Sequence, residues 1–461
     1  AGSSMVNTTK LESFNEIAAA GSDLEIVASS RGYQRNGDPD EALKNEAVEA
    51  AGQADVVLYF LGLDEMSESE GLDRQHMRIP KVQIEVLEAI AAANPNIVGI
   101  LSGGSSIEME WDVKLRAVLH GYLTGQAGGG AIYDLVTGKV NPSGKLAETY
   151  PIAYVDTPAF NYYPAKERTS EYREGIYIGY RYFDTAHIPV RYPFGFGLSY
   201  TNFEYSDLRA DENGASFNIT NTGKVDGAEV AQLYVSLPGA KVFRPAKELK
   251  GFAKVFLKAG ETKTIRIPFN DMTFRYYNTA SNTWVVEGGK YRILVGGSSA
   301  DIRLSADLDV APSGEGNPYD PKKIPAYYSG DITRVPDGQF ETLLGRKIPD
   351  GSWTRKLTEN DAICQLKYSK SLLCRTAYGV LERKKKKAEA AGKPDLNVLF
   401  IYNMPFRAIG KMTGGAVSQD MVKGMVKVVN GHFWSGMGDV ISGYFRNGRQ
   451  NKAYEKSLKK Q

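Results

Sequence analysis

The spacing of apolar residues changes along this 461-residue chain, and the first spacing restricts the fold most strongly. Residues 54–63 form a continuous apolar run of strand length, which is typical of a strand covered on both faces. Apolar residues then recur at helical spacing between Pro80 and Asn94, and strand-like and helical segments alternate as far as about Thr137. Such alternation predicts a mostly parallel sheet with helices on its faces.

A second spacing begins at about Ser206. Short segments rich in Val, Ile, Phe and Tyr are separated there by turn sequences, which predicts a β-sandwich of the fibronectin type III kind ending near Val310. A linker containing Pro and Gly follows, and helices are expected at 361–391 and 416–445. The expected fold class is therefore multidomain α/β plus all-β: an α/β sandwich, a β-sandwich and a mainly helical C-terminal extension.

The predicted domains differ in charge. Their limits are expected at 1–150 for the α/β domain, 151–205 for a connecting segment, 206–310 for the sandwich and 311–461 for the extension. The net charge is +2, but residues 311–461 hold 26 Lys and Arg against 14 Asp and Glu, or +12, which leaves −10 for residues 1–310. A region with this surplus of positive charge could bind nucleic acid or an anionic membrane. Because the basic run at 384–387 has no interleaved aromatic residue, a solvated helix face or contact with an acidic domain is preferred, and neither partner is predicted.

Cysteine and histidine usage narrows the chemistry. The two cysteines, Cys364 and Cys374, exclude a disulfide framework and favour a reducing compartment, so a cytoplasmic location is expected. The four histidines, at 76, 120, 187 and 432, are too scattered to predict a metal site, and no cofactor is proposed. The first residues contain neither the basic nor the apolar segment of a signal peptide, and we expect the natural start to be Met5 or a residue upstream of Ala1.

The loop after the first predicted strand is rich in carboxylates. Residues 64–73 contain five Asp and Glu, and loops at the carboxyl ends of strands bind ligands in a doubly wound sheet. Glycoside cleavage uses one carboxylic acid as proton donor and one carboxylate on the other side of the sugar. Crowding by like charges raises the pKa of a carboxyl group, which suits a proton donor. A solvated acidic loop or a cation site would have the same composition, so composition alone leaves these alternatives open.

Motifs in a fixed order carry a resemblance to family 3 glycoside hydrolases, the bacterial β-glucosidases in particular. They span residues 1–310 and are Ala1-Gly-Ser-Ser4, Glu68-Ser-Glu-Gly-Leu-Asp-Arg74, Asn141-Pro-Ser-Gly-Lys-Leu146, Gly179-Tyr-Arg-Tyr182, Pro193-Phe-Gly-Phe-Gly-Leu-Ser-Tyr200 and Arg244-Pro-Ala-Lys-Glu-Leu-Lys-Gly-Phe252. The resemblance implies that the α/β domain leans its acidic loop over the sugar pocket of a preceding barrel domain. Terminal β-linked glucose is then the expected substrate, shared with that barrel.

The resemblance also assigns residues within the loop. Glu70 corresponds to the general acid/base, with Glu68 as the reserve candidate. Gly71 supports the choice of Glu70, because a glycine lets the backbone approach a ligand closely. Asp73 and Arg74 are expected to brace the loop as an ion pair.

The sequence departs from the family at the nucleophile. The family uses an Asp in a Ser-Asp-Trp or Thr-Asp-Trp segment of the barrel, and neither tripeptide occurs in these 461 residues. Glu110-Trp-Asp112 has the wrong order, and Trp111 is expected to pack in the core. The chain alone is therefore predicted to be inactive. The Gly-rich segment 125–130 lacks the Gly-Lys-Ser/Thr of a phosphate-binding loop, so packing at a helix start is expected there.

Alternatives remain at this point. The last 150 residues are similar to an extension of some intracellular bacterial members of the family, to which we assign no chemistry. A non-catalytic carbohydrate-binding or assembly module could use the same domains. A flavodoxin-like binder would need a phosphate-binding first loop in place of the acidic one. β-Xylosidase and N-acetylglucosaminidase specificities and the oligomeric state also stay open.

Overall fold

The computed structural model describes residues 10–21, 23–35, 37–64, 67–69, 73–165, 169–314, 316–351, 356–391 and 395–458. The chain divides into two compact units. The first unit contains residues 1–63, 76–165 and 170–349, and the second contains residues 64–75, 166–169 and 350–461. No helix within the described ranges is long and apolar enough to cross a membrane.

The first unit begins with a three-layer α/β arrangement. Its elements are α1 (Lys10–Ala20), α2 (Glu41–Gln53), β1 (Val57–Gly62), α3 (Lys81–Ala93), β2 (Ile97–Ser102), a 3-10 turn (Glu110–Lys114), β3 (Ala117–His120) and α4 (Gly128–Val136). The three strands form a parallel sheet in the order β1-β2-β3, with Val57 opposite Ile97 and Val98 opposite Ala117. The parallel sheet predicted from the apolar pattern is confirmed.

Both faces of this sheet are covered, which explains the continuous apolar strands. On β2, Ile97 and Leu101 face a core formed with α2 and α3, whereas Ile100 faces a core formed with α1 and α4. The third helix begins at Lys81, one residue later than the predicted start, with Pro80 at the cap position. Asn94 ends it as predicted.

A third core joins the connecting segment to residues beyond the sandwich. The connecting segment contains β4 (Tyr150–Pro151), α5 (Tyr180–Thr185) and β5 (Val190–Tyr192), and the later residues form α6 (Pro325–Ser329) and α7 (Asp337–Leu344). Tyr177 and Phe183 pack with Ile324, Tyr327 and Phe340 in this core. The domain limits given above remain a prediction, but this packing places α6 and α7 with the connecting segment.

The predicted sandwich is confirmed between these segments. Its strands are β6 (Phe203–Asp211), β7 (Gly214–Asn221), β8 (Gly227–Ser236), β9 (Glu248–Leu257), β10 (Thr262–Pro268), β11 (Arg275–Asn278), β12 (Thr283–Val286), β13 (Gly289–Gly296) and β14 (Ile302–Val310). Two sheets, ordered β10-β7-β6 and β14-β13-β8-β9, enclose a core that includes Phe217, Leu233 and Ile293. The β11–β12 hairpin is a separate two-stranded sheet.

The C-terminal part of the second unit is mainly helical, as predicted. It contains α8 (Leu372–Ala390), α9 (Leu396–Asn403), α10 (Ile409–Met412), α11 (Gln419–Val429) and α12 (Phe433–Leu458), with 3-10 turns at Ile363–Tyr368 and Phe406–Ala408. Asn430, between α11 and α12, holds Leu357 in place, because its side chain donates to the Leu357 carbonyl at 2.8 Å and accepts from the Leu357 N–H at 2.9 Å. The basic run lies on α8, where Lys385 and Lys386 pair with Glu389 and Glu382 at 2.7 and 3.3 Å.

Candidate functional site

The acidic loop leaves the carboxyl end of β1, at the sheet edge where the sequence predicts a site. Gly62, the last residue of β1, has φ +144°, and a Cβ there would lie 1.8 Å from the Ser102 carbonyl oxygen. The next residue, Leu63, donates its N–H to the same Ser102 oxygen at 2.9 Å. The end of β1 therefore lies so close to the end of β2 that only glycine fits at this position.

A buried glutamine fixes the point where the loop begins. Gln83, on the first turn of α3, is 4% exposed. Its Nε2 donates to the Gly62 carbonyl at 3.0 Å, and its Oε1 accepts from the Gly62 N–H at 2.8 Å. The Tyr59 hydroxyl donates to the Gln83 carbonyl at 2.6 Å, and burial raises the pKa of Tyr59. One side chain thus satisfies both main-chain polar groups of the residue from which the loop departs.

The loop opens with a tight turn. The Ser67 N–H donates to the Asp64 carboxylate at 2.9 Å, and the Glu68 N–H donates to the Asp64 carbonyl at 2.9 Å. Asp64, Ser67 and Glu68 are half-buried. Asp64 therefore caps the turn. Glu68 is the last residue of this turn.

At the end of the loop, neighbouring side chains differ in their exposure to solvent. Asp73 is exposed, Arg74 is half-buried, and Gln75 donates its side-chain N–H to the Asp73 carbonyl at 3.0 Å. Glu70 and Gly71, the predicted acid/base and its glycine, lie outside the described residues. Their roles, and the Asp73–Arg74 ion pair, stay predictions.

The loop after β2 braces the neighbouring edge of the site. The Glu108 N–H donates to the Met77 carbonyl at 2.8 Å, and the Glu108 carboxylate accepts from the Tyr154 N–H at 2.8 Å. Trp111 donates its indole N–H to the Glu108 carbonyl at 3.1 Å and is buried in the core. Trp111 therefore packs inside the domain, as expected.

Asp112 has a structural role in the same segment. It is buried, and it accepts hydrogen bonds from the Arg191 guanidinium and from the Tyr192 hydroxyl, the latter at 2.7 Å. Burial, and secondarily the Asp112 carboxylate, raises the pKa of Tyr192 to about 12. This network joins the 3-10 turn to β5. The Asp112 carboxylate therefore stabilises the fold through its bonds to Arg191 and Tyr192.

Sequence reasoning missed two positioning residues at this edge. His120 ends β3, where its Nε2 lies 2.6 Å from the Tyr150 hydroxyl and its Nδ1 lies 3.4 Å from the Leu101 carbonyl. The sequence signal was a histidine at the end of a predicted strand. The signal for Gln83 was its position as a polar residue on the apolar face of a predicted helix. A buried polar side chain there needs a hydrogen-bond partner. In the described part of the chain, no group of His, Cys, Asp and Glu could hold a metal ion.

Comparison with known proteins shows which families this chain resembles. Residues 1–200 match the glycosyl hydrolase family 3 C-terminal domain, and residues 229–299 match a fibronectin type III-like domain. The chain is 46% identical over 319 residues to thermostable β-glucosidase B of Acetivibrio thermocellus, covering 67% of this chain and 42% of that protein. It superposes on the crystal structure of the Bifidobacterium adolescentis GH3 β-glucosidase with a TM-score of 0.64 and 44% identity, covering 69% of this chain and 47% of that one.

A longer match reaches into the C-terminal extension. The exo-α-(1→6)-L-arabinopyranosidase of Bifidobacterium longum is 40% identical over 384 residues, covering 78% of this chain and 50% of that protein. Since 78% of 461 residues is about 360, this match includes residues beyond 310 wherever it starts. The chain spans about half the length of the curated relatives it matches.

Proposed function

The chain belongs to glycosyl hydrolase family 3, as the C-terminal portion of such an enzyme, and we propose that it supplies the proton donor of a retaining β-glucosidase. The observation that supports this most directly is the attachment of the acidic loop. Gly62 is held at the carboxyl end of β1 by the buried side chain of Gln83. A loop with a rigid point of departure can present a carboxyl group at a constant position, which proton transfer requires.

In the proposed reaction, Glu70 is the general acid and then the general base, and Glu68 is the reserve candidate. An Asp carboxylate of the barrel attacks the anomeric carbon, the glycosidic C–O bond breaks, and Glu70 gives its proton to the departing oxygen. A water molecule then attacks the anomeric carbon and gives its proton to Glu70, which releases the Asp carboxylate. The nucleophile belongs to a part of the enzyme outside this chain.

Terminal β-linked glucose is the proposed substrate. Over the matched parts, two β-glucosidase relatives are 46% and 44% identical to this chain. An exo-α-(1→6)-L-arabinopyranosidase is the second candidate, because the Bifidobacterium longum enzyme matches more of the chain at 40% identity. The sugar pocket lies mostly on the barrel under this proposal, so the choice between the two depends on residues outside this chain.

A chimera tests the proposal. The part of Acetivibrio thermocellus β-glucosidase B that lies before the match is joined to this chain. The chimera should hydrolyse nitrophenyl β-glucoside, whereas this chain alone should not. A folded chimera that binds glucosides without cleaving them would favour the carbohydrate-binding module. Parallel assays with nitrophenyl α-L-arabinopyranoside distinguish the second candidate.

A further inference from the structure

Within the described residues, the last helix of the second unit, α12, packs on one side against α11. Gly436 and Gly443 of α12 lie against α11, where a Cβ on Gly436 would be 2.5 Å from the Gly424 carbonyl oxygen. Two ion pairs flank this contact: Lys427 with Asp439 at 2.6 Å, and Asp420 with Arg446 at 3.0 Å. Small residues and ion pairs therefore fix α12 on α11 along a single face.

The opposite face of α12 is apolar and exposed. Trp434, Ile441 and Phe445 recur at intervals of seven and four residues, so they share one side of the helix. Their exposed fractions are 85%, 53% and 61%, and Tyr444 beside them is 62% exposed. We call these four residues the α12 face.

Among the described residues of the second unit, none of the α12 face belongs to the hydrophobic core. That core is formed by Leu357, Phe406, Val422 and Val429, with partly buried neighbours on other elements. A cluster of large apolar side chains that the unit does not use internally is typical of a surface that another body covers.

Three observations favour the barrel domain as that body. The curated relatives are about twice as long as the part this chain covers, so a large part of such an enzyme lies outside this chain. The match to the Bifidobacterium longum enzyme passes residue 310, so at least the first part of the extension has a counterpart in an enzyme of that length. The acidic loop, residues 64–75, belongs to the same compact unit as residues 350–461. A unit that presents a proton donor to a sugar on the barrel must itself lie against the barrel.

We propose that the α12 face docks on the barrel domain and so holds the unit that carries the acid/base loop against the sugar pocket. This inference rests on the proposed function, because it takes the barrel as the domain that binds the sugar. Trp434 and Phe445 are the anchors, since large aromatic residues at the centre of an interface carry most of its binding energy.

Hydroxyl-radical footprinting tests the docking without any substitution. Side-chain oxidation is measured by mass spectrometry in this chain alone and in a chimera with the part of the Bifidobacterium longum enzyme that lies before the match. Trp434 and Phe445 should be oxidised in the chain alone, and in the chimera their oxidation should fall to the level of buried Trp111. Trp284, an exposed residue of the β11–β12 hairpin, is the control and should react equally in both.

Other occupants give different results, and each would overturn the proposal. Protection of Trp434 that rises with concentration in the chain alone indicates a second copy. Protection only by phosphatidylglycerol vesicles indicates a lipid surface. Equal oxidation of Trp434 in the chain and in the folded chimera excludes docking. A chimera carrying Glu70→Ala should show the same protection as the unsubstituted chimera, so a wrong acid/base assignment does not affect this test.

A pair of variants provides a second measurement. Trp434→Asp should lower the Tm of the chimera and its kcat/KM but leave the Tm of this chain alone unchanged, because the residue is exposed there. Tyr454→Asp is the matched control, since it is an exposed aromatic residue nine positions after Phe445 and therefore on the opposite side of α12. Equal effects of the two substitutions on the chimera would contradict a docking surface centred on Trp434.

Discussion

The side chain of Gln83 bonds to both main-chain polar groups of Gly62, at 3.0 Å to the carbonyl and 2.8 Å to the N–H. This pairing joins the first turn of α3 to the last residue of β1. It is the contact from which the acidic loop takes its starting position, and it makes Gln83 a positioning residue for any chemistry that the loop performs.

Replacing Gln83 should therefore lower the free energy of unfolding. Gln83→Met keeps the side-chain volume but leaves two buried main-chain groups without partners, at about 1–3 kcal/mol each. We expect the free energy of unfolding in urea to fall by roughly 2–4 kcal/mol. Gln53→Met, at an exposed glutamine ending α2, is the control and should change it by less than about 0.5 kcal/mol. Equal losses in the two variants would refute the role of Gln83.

Two glycines in the same domain should respond to alanine in opposite directions. Gly62→Ala places a Cβ against the Ser102 carbonyl and should cost more than about 3 kcal/mol or prevent folding. Gly52→Ala meets nothing within 4 Å on α2 and should stabilise the protein by up to about 1 kcal/mol through helix propensity. Thermal unfolding of both variants checks the prediction, which fails if Gly62→Ala is tolerated.

Tyr192 makes stability depend on alkaline pH. Its pKa is raised to about 12, mainly by burial, whereas an unfolded tyrosine titrates near 10. Because the folded pKa lies above the unfolded one, the contribution of Tyr192 is complete below about pH 10 and is lost as the pH rises towards 12. Urea midpoints measured from pH 8 to 11.5 should fall less steeply above pH 10 in Tyr192→Phe than in the wild type. Parallel curves would show that Tyr192 does not titrate with unfolding.

The proposal that the nucleophile lies outside this chain leads to a prediction for the chain alone. Neither Ser-Asp-Trp nor Thr-Asp-Trp occurs in the sequence, and Asp112 is held by Arg191 and Tyr192. The purified chain should hydrolyse nitrophenyl β-glucoside no faster than a control protein. Release of nitrophenol above that background, retained through a second purification step, would show that this chain does contain a nucleophile.

The helices and strands that could be predicted from the sequence are those whose spacing of apolar residues matches the faces that are buried in the structure. The apolar run that became β1 and the helical spacing after Pro80 are both consequences of packing on two faces of a sheet, so each could be recognised from its own residues. The alternating strands of the sandwich were recognisable for the same reason.

The contacts that sequence did not anticipate join residues far apart in the chain. Arg173 donates to the Val335 carbonyl at 2.8 Å, and the Tyr327 hydroxyl donates to the Arg173 carbonyl at 2.9 Å, which builds α6 and α7 onto the connecting segment. Residues 64–75 likewise belong with residues 350–461 in one unit. No local pattern encodes such pairings, because they depend on which surfaces meet after the elements form.

An azide rescue experiment tests most directly whether the acidic loop supplies the proton donor. In the chimera with Acetivibrio thermocellus β-glucosidase B, Glu70→Ala should slow cleavage of poor leaving groups by roughly two to four decades, the usual share of general acid–base catalysis. Activated aryl glucosides should be affected less, and added azide should restore turnover by replacing the water that needs a base. Glu68→Ala, the matched carboxylate two residues away, should show neither effect. Rescue of Glu68→Ala by azide, with Glu70→Ala merely weakened in substrate binding, would contradict the assignment.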